Sequence, residues 1–416
     1  MAAAYGVHSE VGTLGKVIVH RPDLSLERLT PANHHDLLFD DMLWLEHAQK
    51  EHDAFVALLR ERGTEVFYHQ DLLAEALDAD PGAKEHAVMR TVNHLTVGPV
   101  LVDEVRAELA SWDGHRLARH LIGGLTKAEL GLGQAGSLVT ASADPSDFIL
   151  PPLPNSLFQR DPAAWLYGGV SLNPLFWHAR RLETINQSLI YHFHPMFVGA
   201  DFEFWYPPHG DDGEFDEEDF GRASIEGGDM MPLGHGAVAI GIGERTTAHM
   251  VERLALTLFA HGAATRVIAV TIPPHRAYMH LDTVFTLLDV DKATAFLPVM
   301  QTASAYSLRP GDVDGTLDVH HEPSVFAAFA DALGVPSLEV VPTGGDTYQQ
   351  AREQWGSANN FLALEPGVVV GYHKNQWTNA MIAERGVEVL EIEGFELGKG
   401  RGGARCMTCP IQRDGI

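Results

Sequence analysis

The chain is poor in cysteine, in basic residues and in long apolar runs, and each shortage narrows what it can be. Two cysteines in 416 residues cannot build a disulfide framework, and such sparing use suits a reducing compartment. Against 56 Asp and Glu there are only 29 Lys and Arg, a formal net charge of −27. So acidic a chain speaks against nucleic acid, whose phosphates call for basic patches. It is compatible with a small cationic substrate, although net charge mainly governs solubility. No apolar run reaches the length needed to span a bilayer, so no membrane partner is expected. The opening Met1-Ala2-Ala3-Ala4-Tyr5-Gly6 carries neither a basic nor an apolar leader. A cytoplasmic protein is the expectation, with a homo-oligomer as the expected assembly.

What is present is the balance of a globular protein, 45% hydrophobic and 20% charged. One pattern recurs along it: a strand pair, an amphipathic helix, a glycine and a short strand. The first copy is Lys16 to His20, a helix over Met42–Arg62, and Gly63 to Tyr68. The second is a hairpin from Asp161 through Leu172, a helix near Leu182–His192 and a strand at Phe202–Phe204. The third is Asp229 to Gly243, Ala248–His261 and Val267–Val270; the fourth is Val284 to Leu297, Ser324–Leu333 and Leu338–Val341. The fifth is Phe361 to Gly371, Asn379–Arg385 and Val387–Leu390. One such unit cannot bury its own apolar face, so five predict a closed, pseudo-five-fold α/β propeller of ββαβ-type units. Residues 72–146 break the pattern and read as helices, an insertion between catalytic segments 1–71 and 147–416. The run from Asp211 to Asp219 reads as a solvated acidic loop rather than a metal site.

Both cysteines lie in the last dozen residues, in Gly400-Arg401-Gly402-Gly403-Ala404-Arg405-Cys406-Met407-Thr408-Cys409-Pro410. Glycines let backbone approach a ligand closely, and arginine neighbours favour the nucleophilic thiolate. Polar residues precede the other hairpins: Asn155 to Pro162, Glu226-Gly227-Gly228-Asp229 and His280-Leu281-Asp282. If the units are related by rotation, Asp161, Glu226, His280, Asp282 and Cys406 converge in one pocket. That inventory suits a guanidinium substrate. Two aspartates would clamp the planar cation while a thiolate attacks its central carbon. A histidine held by a glutamate would protonate the departing nitrogen and then activate water. Arg180, Arg245, Arg401 and Arg405 sit near these segments, and a substrate carboxylate would need at least one of them.

Other motifs carry less. Cys406 and Cys409 form C-x-x-C, but after the fifth unit rather than at a strand-to-helix turn, which disfavours a redox pair. The cysteine count excludes a Cys-only zinc site and no His-x-His lies near, so no metal is expected. Gly131 to Gly136 spells G-x-G-x-x-G after a helix rather than a strand, outside the dinucleotide-binding context, and no cofactor is expected.

The segments Phe39-Asp40-Asp41, Asn155 to Pro162, Glu226 to Asp229, His280 to Phe285 and Arg401 to Pro410 resemble the bacterial arginine deiminase family, guanidine-modifying enzymes of the five-bladed pentein fold. The resemblance implies hydrolysis of L-arginine to L-citrulline and ammonia without metal or cofactor. It implies Cys406 as nucleophile, His280 as acid and base beside Glu226, and Asp161 and Asp282 on the guanidinium. Arg401, Arg245 and Arg180 would face the substrate carboxylate, Asn155 and Phe158 would line the pocket, and Leu38 would sit on a closing loop. Arg405 stands where some relatives have histidine. An amidinotransferase of the same superfamily is the alternative, passing the amidino group to an amine instead of water.

Overall fold

The strands of this protein are short, mostly buried on both sides, and close to continuously apolar, as in Ala237–Ile242 and Arg266–Thr271. Such strands need helices or further sheets on both faces. The computed structural model describes residues 4–131, 136–207 and 223–416; the acidic run Asp211–Asp219 lies outside them, as does most of the 131–136 glycine motif.

Four sheets follow one plan, a hairpin whose second strand pairs in parallel with a strand that returns after a helix. Ala163–Leu166 and Gly169–Leu172 are joined by Glu203–Tyr206 across helix Arg181–Phe193. Met230–Gly234 and Ala237–Ile242 are joined by Arg266–Thr271 across helix Ala248–Ala260. Phe285–Leu287 and Lys292–Ala295 are joined by Glu339–Pro342. The helix before that last strand, Val325–Leu333, starts under a Ser324 side-chain cap and ends at Gly334 with φ of 70°. A left-handed residue there closes the helix at little cost only as glycine. Leu362–Glu365 and Val368–Tyr372 are joined by Glu388–Ile392 across helix Gln376–Ala383.

The remaining unit differs from the sequence reading. Leu14–Val19 pairs in parallel with Glu65–Tyr68, but its antiparallel partner is Cys409–Arg413, from the other end of the chain. Gly6–Val7 adds to the outer edge of that C-terminal strand. A further hairpin, Ser304–Pro310 with Leu317–Glu322, extends the sheet of Arg266–Thr271. After Glu65–Tyr68 comes a run of helices, His69–Ala79, Pro81–Thr91, Val102–Ala110 and Gly114–Gly123. They share one hydrophobic cluster with Trp165, Val170 and Ile411. Among the described residues, no helix is long and apolar enough to cross a membrane.

Short 3-10 turns lead into three of the hairpins: Pro154–Leu157, Gly227–Asp229 and Leu281–Thr283. A tight turn, Gly403 to Met407, leads into the C-terminal strand. These four turns deliver polar side chains to one cavity.

Candidate active site

The turns bring together residues far apart in the chain. Leu38, Asn155, Phe158, Asp161, Arg180, Arg245, His280, Arg401 and Cys406 line a common cavity of about 10 Å3, room for about one water molecule. Glu226 and Asp282 stand behind that surface, both fully buried.

His280 is wedged between two carboxylates. Its Nε2–H donates to Glu226 Oε2 at 2.6 Å, and its Nδ1 lies 3.7 Å from Asp161 Oδ1. Burial alone would lower its pKa, but Asp161 and the Glu226 hydrogen bond outweigh it and raise the imidazole to about 9. Glu226 moves the other way: burial opposes its charge, yet Arg245 and His280 hold its carboxyl well below the usual range. The pair is therefore an imidazolium and a carboxylate. The turn beneath is fixed by Asp229, whose oxygens accept from the Leu281 N–H at 2.8 Å and the Thr246 hydroxyl at 2.6 Å. Gly228 permits the approach, since a Cβ there would stand 2.5 Å from His280 Nδ1.

Cys406 points its thiol at Asp282 Oδ2, 3.6 Å away. The same oxygen accepts from Arg405 Nη1 at 2.8 Å, while Asp282 Oδ1 is buried without a partner among the described residues. Gly402 lets the turn close against Phe158, because a Cβ there would come within 2.2 Å of that ring. The expectation that neighbouring arginines favour a thiolate is corrected here. Arg405, held by Glu10 at 2.9 Å and by Asp282, does act toward the thiolate, but it is outweighed. Burial, then Asp282 and Asp161, push the Cys406 thiol well above its ordinary value. Cys409, also a free thiol, faces Ala163 O and the Tyr191 hydroxyl instead.

The three arginines proposed for a carboxylate stand in different states. Arg401 has φ of 71° and stacks 3.2 Å over the Trp355 ring; its buried Nε and Nη1 have no hydrogen-bond partner among the described residues, and Nε lies 4.0 Å from Asp40 Oδ2. Desolvation lowers its pKa to about 9. Arg245 donates to Glu226 at 3.3 Å. Arg180 is fully engaged by carboxylates of the protein, Asp161 at 2.7 Å and Glu183 at 2.8 Å. Asp161 in turn accepts from Gly228 N at 3.2 Å. Asn155 donates to Leu37 O at 2.7 Å, tying the Leu38 loop to the site. Sequence reasoning missed Arg276, which lines the cavity and grips that loop through Asp40 at 2.7 Å and Leu38 O at 3.1 Å. It also missed Glu10, whose partner Arg405 lies at the other end of the chain, and Glu183, which holds Arg180 from three residues on.

Among the described residues, one trio could hold a metal ion, Asp161, Glu226 and His280, with donor atoms within 4.8 Å of one another. Its carboxylates already face the guanidiniums of Arg180 and Arg245, at 2.7 and 3.3 Å. That seat fits planar organic cations with fixed N–H donors better than a divalent ion.

Known structures share this fold. SxtG, an amidinotransferase from Microseira wollei in the saxitoxin biosynthetic pathway, superposes with a TM-score of 0.57 at 14% identity, over 99% of this chain and 98% of that one. The N-terminal domain of ArgZ, an arginine dihydrolase of cyanobacteria, gives 0.52 at 12% identity over 96% and 97%. The dimethylarginine dimethylaminohydrolase of Pseudomonas aeruginosa, complexed with citrulline, gives 0.51 at 15% identity over 96% and 100%. These likenesses establish a mixed α/β fold in common with pentein-fold enzymes. The family model described as arginine deiminase matches residues 35–413. With so much of its length inside that match, the chain belongs to the arginine deiminase family.

Proposed function

We propose that this protein hydrolyses L-arginine to L-citrulline and ammonia through a covalent intermediate on Cys406, with its five sheets of three or more strands set about an approximate five-fold axis. The observation that carries the reading is a thiol 3.6 Å from one aspartate, in the same cavity as a second aspartate and a histidine clamped by carboxylates. A cationic guanidinium between Asp161 and Asp282 neutralises the two charges that hold the thiol protonated. Its arrival therefore favours the thiolate it needs. Sulfur attacks Cζ, the His280 imidazolium gives its proton to the leaving nitrogen, and ammonia departs. Neutral His280 then takes a proton from water, whose oxygen attacks the same carbon. The C–S bond breaks, releasing citrulline and restoring the thiolate.

The cavity of about 10 Å3 is too small for arginine, so binding requires rearrangement. Arg180 already holds Asp161 with a guanidinium. In this reading the substrate's guanidinium takes that place, and Arg180 moves to the substrate carboxylate beside Arg245 and Arg401.

The test is product identity. Wild-type protein with L-arginine should yield citrulline and ammonia in equal amounts, and Cys406→Ser should lose turnover with an unchanged circular dichroism spectrum. Appreciable activity in Cys406→Ser would refute the nucleophile. A new guanidino compound formed when an amine is added would favour the amidinotransferase alternative.

A further inference from the structure

Glu51 lies outside the cavity, yet it holds the segment that delivers Arg401. It sits within helix Leu45–Glu61 with its carboxylate only 2% exposed. A glutamate buried to that degree needs strong partners. Here they are backbone amides. Oε1 accepts from Phe395 N at 3.0 Å and Glu396 N at 3.2 Å; Oε2 accepts from Glu396 N and Leu397 N, each at 3.0 Å. The nearest cationic candidate, His47 Nδ1, is 3.7 Å away. These three amides open the turn Leu397–Gly400, and the next residue is Arg401.

Arg401 does not fix its own position. Among the described residues two of its guanidinium nitrogens have no hydrogen-bond partner, its contact with Trp355 is a stacking one, and its ion pair with Asp40 is long, 4.0 Å from Nε. Its left-handed backbone, φ 71°, persists only where surrounding structure over-determines it. The carboxylate clamp is the charged buried part of that determination, since charge-assisted bonds to amides are short and strong; on the other side of Arg401 the buried Tyr372 hydroxyl donates to Gly402 O at 2.9 Å. Supporting ties lie at the surface: Lys399 Nζ to Met42 O at 3.0 Å and Trp44 N to Glu396 Oε2 at 2.7 Å.

We infer that Glu51 is a positioning residue for substrate specificity. By clamping the amides of residues 395–397 it sets where the Arg401 guanidinium stands, and so enforces preference for guanidines that carry a carboxylate. The inference rests on the reading of Arg401 as a carboxylate contact. A displacement of about 1 Å in such a group can cost on the order of a hundredfold.

The experiment compares L-arginine with agmatine, which is arginine without its carboxylate, in wild type, Glu51→Ala, Glu51→Gln and Arg401→Ala. Glu51→Ala should lower kcat/KM for L-arginine roughly tenfold or more, chiefly through KM, and for agmatine by less than about twofold. Glu51→Gln, which keeps one acceptor oxygen, should fall between and carries the test if Glu51→Ala does not fold. Arg401→Ala sets the largest shift in preference that losing the contact can give. Equal losses on both substrates, or an unchanged ratio in a folded variant, would overturn the inference. Calorimetry of the two ligands on a Cys406→Ala background separates the two readings. If wild type makes no citrulline, the proposed activity fails, while an L-arginine preference in binding that Glu51→Gln erases would still support the clamp. If wild type is active and Glu51→Gln keeps the full binding preference, the clamp alone fails.

Discussion

At the residue scale the site is defined by charge compensation in a nearly dry space. His280 keeps its proton, against its burial, because Asp161 and Glu226 face it, and Cys406 keeps its proton because burial, then Asp282 and Asp161, disfavour the thiolate. In the proposed reaction these two groups are an acid ready for use and a nucleophile that waits for a cation. The histidine half can be checked directly. In the free protein the His280 ring should titrate near pH 9, followed by nitrogen NMR of the imidazole, and Glu226→Gln should lower that midpoint. The sign is that of a raised folded pKa. Its contribution to stability is complete below about 6.5, the ordinary histidine value, and fades as pH rises through 9. A midpoint at or below 7 in wild type would contradict the clamp. Most of this site was legible because Asp161, Glu226, His280, Asp282 and Cys406 each sit in a turn just before a strand, and that position repeats. Arg276, Glu10 and Glu183 were not legible. Arg276 and Glu10 matter through partners on other segments, Asp40 and Arg405, and no local pattern encodes such pairings; Glu183 pairs three residues from Arg180, a spacing that any exposed helical ion pair shares.

At the scale of elements, the helices and hairpins followed from glycine punctuation and apolar runs, while two pairings did not. The hairpin Ser304–Glu322 carries an outer strand whose residues are mostly exposed, so it lacks the apolar signature of its neighbours. The first strand pair is non-local and reads locally as a lone strand. One cluster that no pattern announced joins strand end, helix and helix start. His20, His52 and His69 are buried, and none of their ring nitrogens has a hydrogen-bond partner among the described residues. His20 and His69 meet edge-on at 5.7 Å. Burial lowers His20 to about 4 and His52 to about 3, with Asp23 and Asp53 opposing and Arg21 adding to the effect on His52. Depressed histidines stabilise the fold above the unfolded value near 6.5, and that contribution is lost as pH falls below it. Replacing His52 with Phe should therefore remove one proton from the pH dependence of stability. Between pH 6.5 and 5 the slope should flatten by about 1.4 kcal/mol per pH unit, read from urea denaturation at each pH. Identical slopes in wild type and variant would show that His52 titrates normally.

At the scale of the whole molecule, the N-terminal and C-terminal strands meet beside Cys406. Cys409–Arg413 lies between Gly6–Val7 and Leu14–Val19, with Cys409 opposite Ile18 and Gln412 opposite Gly6. Arg413 secures the seam by donating to the carbonyls of Glu10 at 2.9 Å, Gly12 at 2.9 Å and Ala363 at 2.7 Å. Glu10, on the same N-terminal segment, holds Arg405, and Arg405 holds Asp282. The turn that carries Cys406 is thus stitched to the N-terminal segment before it reaches the last strand. Contacts of such sequence separation form late and slowly, because loop closure must come first. Truncating Arg413 to Ala would leave three buried carbonyls short of a donor, at about 1–3 kcal/mol each where no water replaces it. The expected result is a lower urea midpoint, with citrulline production and tryptophan fluorescence lost together in both proteins, because site and seam share one strand. Activity that outlasts the fluorescence transition, or an Arg413→Ala midpoint equal to wild type, would mean the seam does not hold the site.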